Sequence, residues 1–176
     1  FDMNLKVLVI IPAYNEESNI EKVINDIQTN SSFVDYVIIN DGSKDRTLDI
    51  LKKNHFNYID SICNLGLFGA VQTGFRYSLE NDYDCAIQFD GDGQHLAKYI
   101  PLLVDEIANG NDIVIGSRFV NEKKPISARM LGSRLISTSI KIVTGKNIKD
   151  PTSGFRAYNR SCIKEYALGM NNPPEP

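Results

Sequence analysis

The chain has 176 residues, of which 42% are hydrophobic and 23% charged, and its formal net charge is -3. This balance suits one globular domain with a sizeable core, and it argues against a molecule built to bind nucleic acid. No apolar run approaches the roughly 18 residues that a membrane-spanning helix needs. The three cysteines lack the spacing of a disulfide framework or a zinc site, and reduced cysteines fit a cytosolic compartment.

Short apolar runs alternate with helical patterns along the whole chain. The first predicted strand, from Lys6 to Ile11, is rich in β-branched residues, and a capping box of Ser18 and Glu21 predicts the first helix. Further strands are predicted at 34–39, 57–62, 84–89 and 112–115, and further helices after Asp45, up to about Asn81, and at 100–108 and 128–144. The alternation predicts a single Rossmann-like α/β domain with a mainly parallel central sheet flanked by helices.

Four polar segments follow predicted strands. They cover residues 12–17, 40–47, 90–95 and 116–119. The carboxyl ends of parallel strands lie at one edge of a sheet, and ligands of such folds bind outside that edge. We therefore expect one site there, within a domain that spans 1–176. Residues 170–176 read as a tail or linker, with a further C-terminal part expected beyond them.

The segment Asp90-Gly91-Asp92-Gly93-Gln94-His95 carries the sharpest chemical signal. Two carboxylates one residue apart, directly after a strand, can reach one hard cation such as Mg²⁺ or Mn²⁺, and glycines let a phosphate approach the backbone. That cation would neutralise a diphosphate leaving group. A solvated acidic turn is the alternative. A calcium EF-hand fits poorly, because His95 replaces the glycine at its sixth position and Pro101 the glutamate at its twelfth.

The segment after the second strand, residues 40–47, combines a possible ligand with turn chemistry. Asp41 is a candidate acceptor for a ribose hydroxyl or a base N–H, whereas Ser43 and Asp45 are better explained as turn and helix-cap residues. Neither a P-loop nor a G-x-G-x-x-G turn is present, which argues against a P-loop nucleotidase and a dinucleotide dehydrogenase.

The later part of the chain is locally basic. From Lys123 to Lys149 there are seven basic residues and no acidic ones, interleaved with apolar residues at helical spacing. This pattern fits either a membrane-surface helix or a core helix with a basic outer face. The segment from Asp150 to Arg156 is either an acceptor-site wall or a plain turn. His95 is a further candidate, near the carboxylates, for contact with a phosphate.

These motifs, in this order, resemble glycosyltransferase family 2. The resemblance rests on Ile11 to Glu17, Asn40 to Ser43, Asp90 to His95 and Gly116 to Phe119. The segment from Asp150 to Arg156 is similar to the branch of dolichyl- and polyprenyl-phosphate sugar transferases. The resemblance implies the GT-A fold and an inverting transfer of a hexose from a UDP- or GDP-sugar to a lipid phosphate.

The resemblance also implies residue roles. Those lining the nucleotide-sugar site would be Pro12, Ala13, Tyr14, Glu16, Asp41, Asp90 and Gly91. Asp92 and Gln94 would bind Mg²⁺ or Mn²⁺, and the acceptor phosphate would be received by Arg118, Arg129 and Ser133. Asp90, Asp92, Arg118 and Asp150 are the candidate catalytic residues. Phe68 departs from the small residue that relatives often have there.

An ionised phosphate acceptor needs no strong general base, which fits a sequence without an obvious one. Transfer to a glycan hydroxyl in cell-wall or capsule synthesis is the first alternative, with Asp150 as its base. A sugar nucleotidyltransferase and a non-catalytic nucleotide-sugar binder are others. We expect a cytoplasmic protein, peripheral at the inner face of the membrane through residues 123–149.

Overall fold

The computed structural model describes residues 5–116 and 153–168, which form one six-stranded sheet with helices on both faces. The strands are β1 (Val7–Ala13), β2 (Asp35–Asn40), β3 (Tyr58–Asp60), β4 (Cys85–Gln88), β5 (Ile113–Ile115) and β6 (Arg156–Asn159). The helices are α1 (Ile20–Asn30), α2 (Thr47–Lys53), α3 (Gly66–Glu80), α4 (Ile100–Ala108) and α5 (Arg160–Leu168), with a 3₁₀ turn at Ala97–Tyr99. The predicted helix at 128–144 lies outside the described residues.

The sheet has the strand order β3-β2-β1-β4-β6-β5. Strands β1 to β4 are mutually parallel, as the alternating pattern predicts. Strand β6 is antiparallel to both β4 and β5, so β5 again runs in the direction of β1. Consequently β1, β2, β4 and β5 all end at the same edge, although a strand from the end of the described chain separates β4 from β5.

Both faces of the sheet are buried, which explains the continuous apolar run of β1. Val7, Val9 and Ile11 pack in the core on the α1 side, whereas Leu8 and Ile10 pack in the core that includes α3 residues. Helix α3 lies so close to the sheet at Gly74 that a Cβ there would overlap the Ile10 side chain. Cys85 is buried, as its apolar context predicts.

The predicted capping box at the start of α1 is wrong. The helix begins at Ile20, and its N-cap residue, Asn19, makes no side-chain cap bond. Instead, Glu16 O accepts hydrogen bonds from the N–H groups of Asn19 and Ile20, each at 3.0 Å. Glu21 is also engaged elsewhere, since its Oε1 accepts from Asn54 Nδ2. The preceding turn therefore sets the start of the helix.

Candidate active site

A pocket of about 380 Å³ opens at the carboxyl ends of β1, β2 and β4. It is lined by Pro12, Ala13, Tyr14, Glu16, Asp41, Asn64, Gly66, Leu67, Ala70, Asp90, Gly91 and Asp92. This set contains every residue that the sequence predicted for a nucleotide-sugar site. A second hollow, of about 590 Å³, lies near the amino end of β2 and includes Val34, Asp35 and Tyr36. The first pocket is the candidate site, because ligands of parallel sheets bind beyond the carboxyl ends of the strands.

Asp41 is fixed deep in this pocket. It is only 3% exposed, and its Oδ1 accepts a hydrogen bond of 2.7 Å from Leu65 N–H. The next residue, Gly42, has a φ of +68°, and a Cβ there would lie 2.9 Å from Asn64 N. Glycine is thus required for both conformation and space. The polypeptide before α3 therefore closes directly over the end of β2.

One wall of the pocket consists of residues that the sequence motifs did not predict. Asn64, Gly66, Leu67 and Ala70 belong to the β3–α3 connection and the first turns of α3. A glycine-containing stretch here is a weak signal by itself. The stronger indication comes from the structure, in which the apolar side chains of Leu65 and Leu67 at the start of α3 are exposed.

The loops after β1 and β2 brace each other. We call residues 14–17 and 41–47 the bracing loops. Asn15 N–H donates to Ser43 Oγ at 3.0 Å, and Asn15 Oδ1 accepts from Lys44 N–H at 2.8 Å. Glu16 N–H donates to Thr47 Oγ1 at 2.9 Å, and Glu17 N–H donates to Asp45 Oδ2 at 3.1 Å. These bonds place Tyr14 and Glu16 at the pocket beside Asp41.

Asp45 is a structural residue, as the sequence suggested. Its Oδ1 accepts from Thr47 N–H at 2.9 Å and from the Thr47 hydroxyl at 2.6 Å, at the first residue of α2. Burial raises the pKa of the Asp45 carboxyl, but the hydrogen bonds from Thr47 and Glu17 outweigh burial and leave its pKa below the ordinary value. Ser43 likewise serves the bracing loops.

We call residues 90–95, after β4, the carboxylate loop. Asp92 and Gln94 are exposed, and Gln94 N–H donates to Asp92 Oδ1 at 2.9 Å. Gly91 packs against the first loop, since a Cβ there would lie 3.1 Å from Pro12 O. Asp90 and Asp92 therefore both line the pocket, next to the end of β1.

The oxygen donors of this loop fit a divalent cation that is shared with a substrate. In the described ranges, no three His, Cys, Asp or Glu side chains are grouped as a metal site. Mg²⁺ commonly takes only one or two protein carboxylates, together with substrate phosphates and water. Asp92 and Gln94, exposed side by side, match that kind of partial site.

His95 lies against Asp90 and is buried. Its Nε2 is 3.3 Å from Asp90 Oδ2, and its ring stacks on Phe155 with ring centroids 5.3 Å apart. The His95 ring also makes a T-shaped contact with the ring of Phe89, with ring centroids 5.7 Å apart. The contact of His95 with the Asp90 carboxylate is thus observed, whereas the predicted contact with a phosphate stays a prediction.

The predicted acceptor residues fall mostly outside the described residues: Arg118, Arg129, Ser133, Asp150 and the basic stretch 123–149. The flanking residues are described. Ser153 Oγ donates to Gly116 O at 2.6 Å, and Gly116 N–H donates to Phe155 O at 2.8 Å. Arg156 Nε donates to Ser153 O at 2.7 Å. The two chain ends that flank residues 117–152 therefore meet beside the pocket.

The chain is similar to a known family of glycosyltransferases. The family described as Glycosyl transferase family 2 matches residues 8–167. A UDP-N-acetylglucosamine–dolichyl-phosphate N-acetylglucosaminyltransferase of Methanococcus voltae is 33% identical, with 90% of this chain and 71% of that protein covered. A dolichol-phosphate mannosyltransferase of Pyrococcus furiosus is 34% identical, over 93% of this chain and 49% of that protein.

Among curated relatives, a polyprenol monophosphomannose synthase of Mycolicibacterium smegmatis is 28% identical, over 93% of this chain and 65% of that protein. Among solved structures, glucosyl-3-phosphoglycerate synthase of Mycobacterium tuberculosis in complex with Mn²⁺ and UDP-glucose superposes with a TM-score of 0.70 at 20% identity. That alignment covers 90% of this chain and 57% of the other. The predicted GT-A fold is confirmed. The chain spans between about half and 71% of the length of these three curated relatives.

Proposed function

Because the chain belongs to glycosyltransferase family 2, we propose that its pocket binds a nucleotide-diphosphate sugar and delivers the sugar to a lipid phosphate. The observation that carries the proposal is the convergence of Asp41, Asp90 and Asp92 in one pocket at the carboxyl edge of the sheet. Three carboxylates around a pocket suit a ligand rich in hydroxyl and N–H donors, with a cation to offset its phosphate charge.

The donor is oriented by side chains of three different loops. Asp41 accepts from the base or ribose, with its own position set by Leu65 N–H. Pro12, Ala13, Tyr14 and Glu16 line the base side, and Asp90 and Gly91 the ribose and sugar side. Asp92 and Gln94 hold a divalent cation, Mg²⁺ or Mn²⁺. When bound, that cation neutralises charge on the departing diphosphate.

The reaction is a single in-line displacement with inversion at the anomeric carbon. A phosphate oxygen of the acceptor forms a bond to that carbon as its bond to the diphosphate oxygen breaks, and the nucleoside diphosphate leaves with the electron pair. A phosphate acceptor is already ionised, so no proton has to be removed. Arg118, Arg129 and Ser133 are proposed to hold it, because guanidinium groups bind phosphate by charge-assisted hydrogen bonds.

Support for a lipid-phosphate acceptor comes from the names of relatives that act on dolichyl or polyprenyl phosphates. In the described ranges, no helix has the length and hydrophobicity to cross a bilayer. We propose peripheral contact with the cytoplasmic face of the membrane through residues 123–149, where anionic lipid adds ~1 kcal/mol per nearby basic residue. Transfer to a glycan hydroxyl and nucleotidyl transfer receive no comparable support.

The first test is thermal unfolding with UDP, GDP, CMP or TDP, each with and without Mn²⁺. A nucleotide at about 100 times its dissociation constant stabilises the folded state by about 2.7 kcal/mol. We expect one nucleoside diphosphate to raise the melting temperature only with the metal, and that response identifies the base. If no nucleotide raises it in the folded protein, the assignment of the pocket is wrong.

The acceptor is tested with a matched pair of lipids. A polyprenyl phosphate and the polyprenol of the same length differ only in the phosphate, and each is incubated with Mn²⁺ and the nucleotide-sugar of the identified base. We expect sugar in the lipid phase with the phosphate only. Transfer to the polyprenol would favour a hydroxyl acceptor, as in the first alternative. Release of pyrophosphate in a separate reaction with a nucleoside triphosphate and a sugar 1-phosphate would indicate a nucleotidyltransferase.

A further inference from the structure

His95 has an environment that an apolar residue would fill equally well. Its side chain is 4% exposed, and its ring forms a cluster with the rings of Phe89 and Phe155, which contact each other with centroids 5.4 Å apart. Of its two ring nitrogens, Nε2 lies 3.3 Å from Asp90 Oδ2. An ionised carboxylate can only accept, so the tautomer that satisfies this contact carries its proton on Nε2.

Gly154 confines the same carboxylate. A Cβ at Gly154 would overlap the Asp90 carboxylate, at both Oδ2 and Cγ. Its backbone does not have the positive φ of Gly42 or Gly93, so conformation alone would allow a side chain. Space is therefore the reason for glycine here, and the space is occupied by Asp90.

The backbone that carries Gly154 is itself held firmly. Ser153 is fully buried and donates to Gly116 O, and Phe155 N–H donates to Ser153 Oγ at 3.2 Å. Phe155 in turn bonds through its carbonyl to Gly116 N–H and stacks on His95. Asp90, with 30% of its side chain exposed, thus has fixed neighbours and a face toward the pocket.

We propose that His95 and Gly154 are positioning residues that hold the Asp90 carboxylate in one orientation toward the donor sugar. The identity of that ligand rests on the proposed function. The physical reason is that an aspartate with rotational freedom spends part of its time directed away from the ligand. Misplacement of a positioned group by about 1 Å can cost on the order of 10²-fold in rate. A hydrogen-bond donor and a backbone contact together remove that freedom.

The test compares two replacements of His95 with one of Gly154. His95→Phe keeps an aromatic ring in the cluster and removes the donor, His95→Gln restores an N–H donor at similar reach, and Gly154→Ala inserts a methyl group against Asp90. Each is titrated by calorimetry with Mn²⁺ and UDP-glucose, and separately with Mn²⁺ and GDP-mannose. We expect His95→Phe and Gly154→Ala to weaken binding of the recognised donor and to lower kcat/KM by about 10- to 100-fold. His95→Gln should recover most of the loss.

The decisive control repeats His95→Phe and Gly154→Ala in an Asp90→Ala background. Residues that act through Asp90 have no further effect on donor affinity once it is removed, which is the signature of coupled sites. Equal losses in both backgrounds, or a His95→Phe variant that binds and turns over like the original chain, would overturn the inference alone. If the unaltered, folded chain binds neither donor nor any nucleoside diphosphate with Mn²⁺, the proposed function is overturned as well. Thermal unfolding of each variant separates these results from loss of the fold.

Discussion

The bracing loops and the carboxylate loop lie at the same edge of the sheet but direct their polar groups differently. In the bracing loops, Asn15, Ser43 and Asp45 bond to backbone groups of the opposite loop, 28 or 29 residues away in sequence. In the carboxylate loop, Asp92 Oδ1 accepts from Gln94 N–H within its own turn, and the Asp92 side chain is exposed. Polar residues of similar type therefore build the pocket in one case and are available to a ligand in the other.

The contrast separates effects on binding from effects on stability. Removal of a side chain whose oxygens accept hydrogen bonds inside the fold should lower the free energy of unfolding. A residue whose oxygens face the pocket should cost ligand affinity and little stability. The four substitutions below are ordered by the size of the expected effect.

Asp92→Ala should have the largest effect. Removal of this carboxylate takes away a metal ligand and, with it, stabilisation of the leaving diphosphate, so turnover should fall by at least ~10²-fold. The free energy of unfolding should change by less than about 0.5 kcal/mol, because Asp92 is exposed. Turnover and Mn²⁺-dependent melting shifts measure the two quantities. A large loss of stability with normal metal dependence would place Asp92 among the structural residues.

Asn15→Ala should destabilise the fold by about 1–2 kcal/mol. It removes the acceptor for Lys44 N–H, and it places alanine at a φ of +58°, which asparagine tolerates better. Denaturant unfolding gives the free energy. Asn15→Gly is the matched control, because glycine removes only the acceptor, and it should retain part of the stability. Equal losses in both variants would show that backbone conformation contributes nothing here.

Asp45→Ala should cost about 1 kcal/mol, because it removes the acceptor for the N–H and hydroxyl of Thr47, the first residue of α2. The cost should depend on pH. Since hydrogen bonds hold the pKa of Asp45 below its ordinary value in the folded state, its stabilisation is complete above the unfolded-state pKa of about 3.9. It is lost as pH falls through the lower folded-state pKa. The free energies of unfolding of the unaltered chain and Asp45→Ala should therefore converge at acid pH. A difference that stays constant with pH would contradict this.

Arg46→Ala should have the smallest effect, within about 0.5 kcal/mol. Arg46 Nε lies 3.1 Å from Glu17 Oε2, but the two side chains are 79% and 38% exposed, and such ion pairs are screened by water and salt. The Arg46 backbone N–H still donates to Glu17 Oε2 after the substitution. Unfolding at low and high salt measures the remainder. A cost above about 1 kcal/mol would mean that the ion pair contributes more to the free energy of unfolding than is expected for such exposed side chains.

Local patterns were sufficient for much of the fold and for the donor side of the site. The β-branched run before Pro12 predicted β1, and the order of strands and polar segments predicted where Asp41, Asp90 and Asp92 would converge. Helix Ile100–Ala108 has the predicted bounds, because Pro101 marks its first turn. Such features depend on residues close together in the chain. They can therefore be predicted without knowledge of the tertiary structure.

Other features were decided by contacts between distant segments. The placement of β6 between β4 and β5 depends on pairings such as Ile87 with Ala157, which no local pattern encodes. The same pairing brings Phe155 onto His95 and Gly154 onto Asp90. The sequence by itself thus predicted most of the residues that line the pocket. Only the tertiary structure decided how Asp90 is held, because Gly154, which confines its carboxylate, and Phe155, which stacks on His95, lie about sixty residues further along the chain.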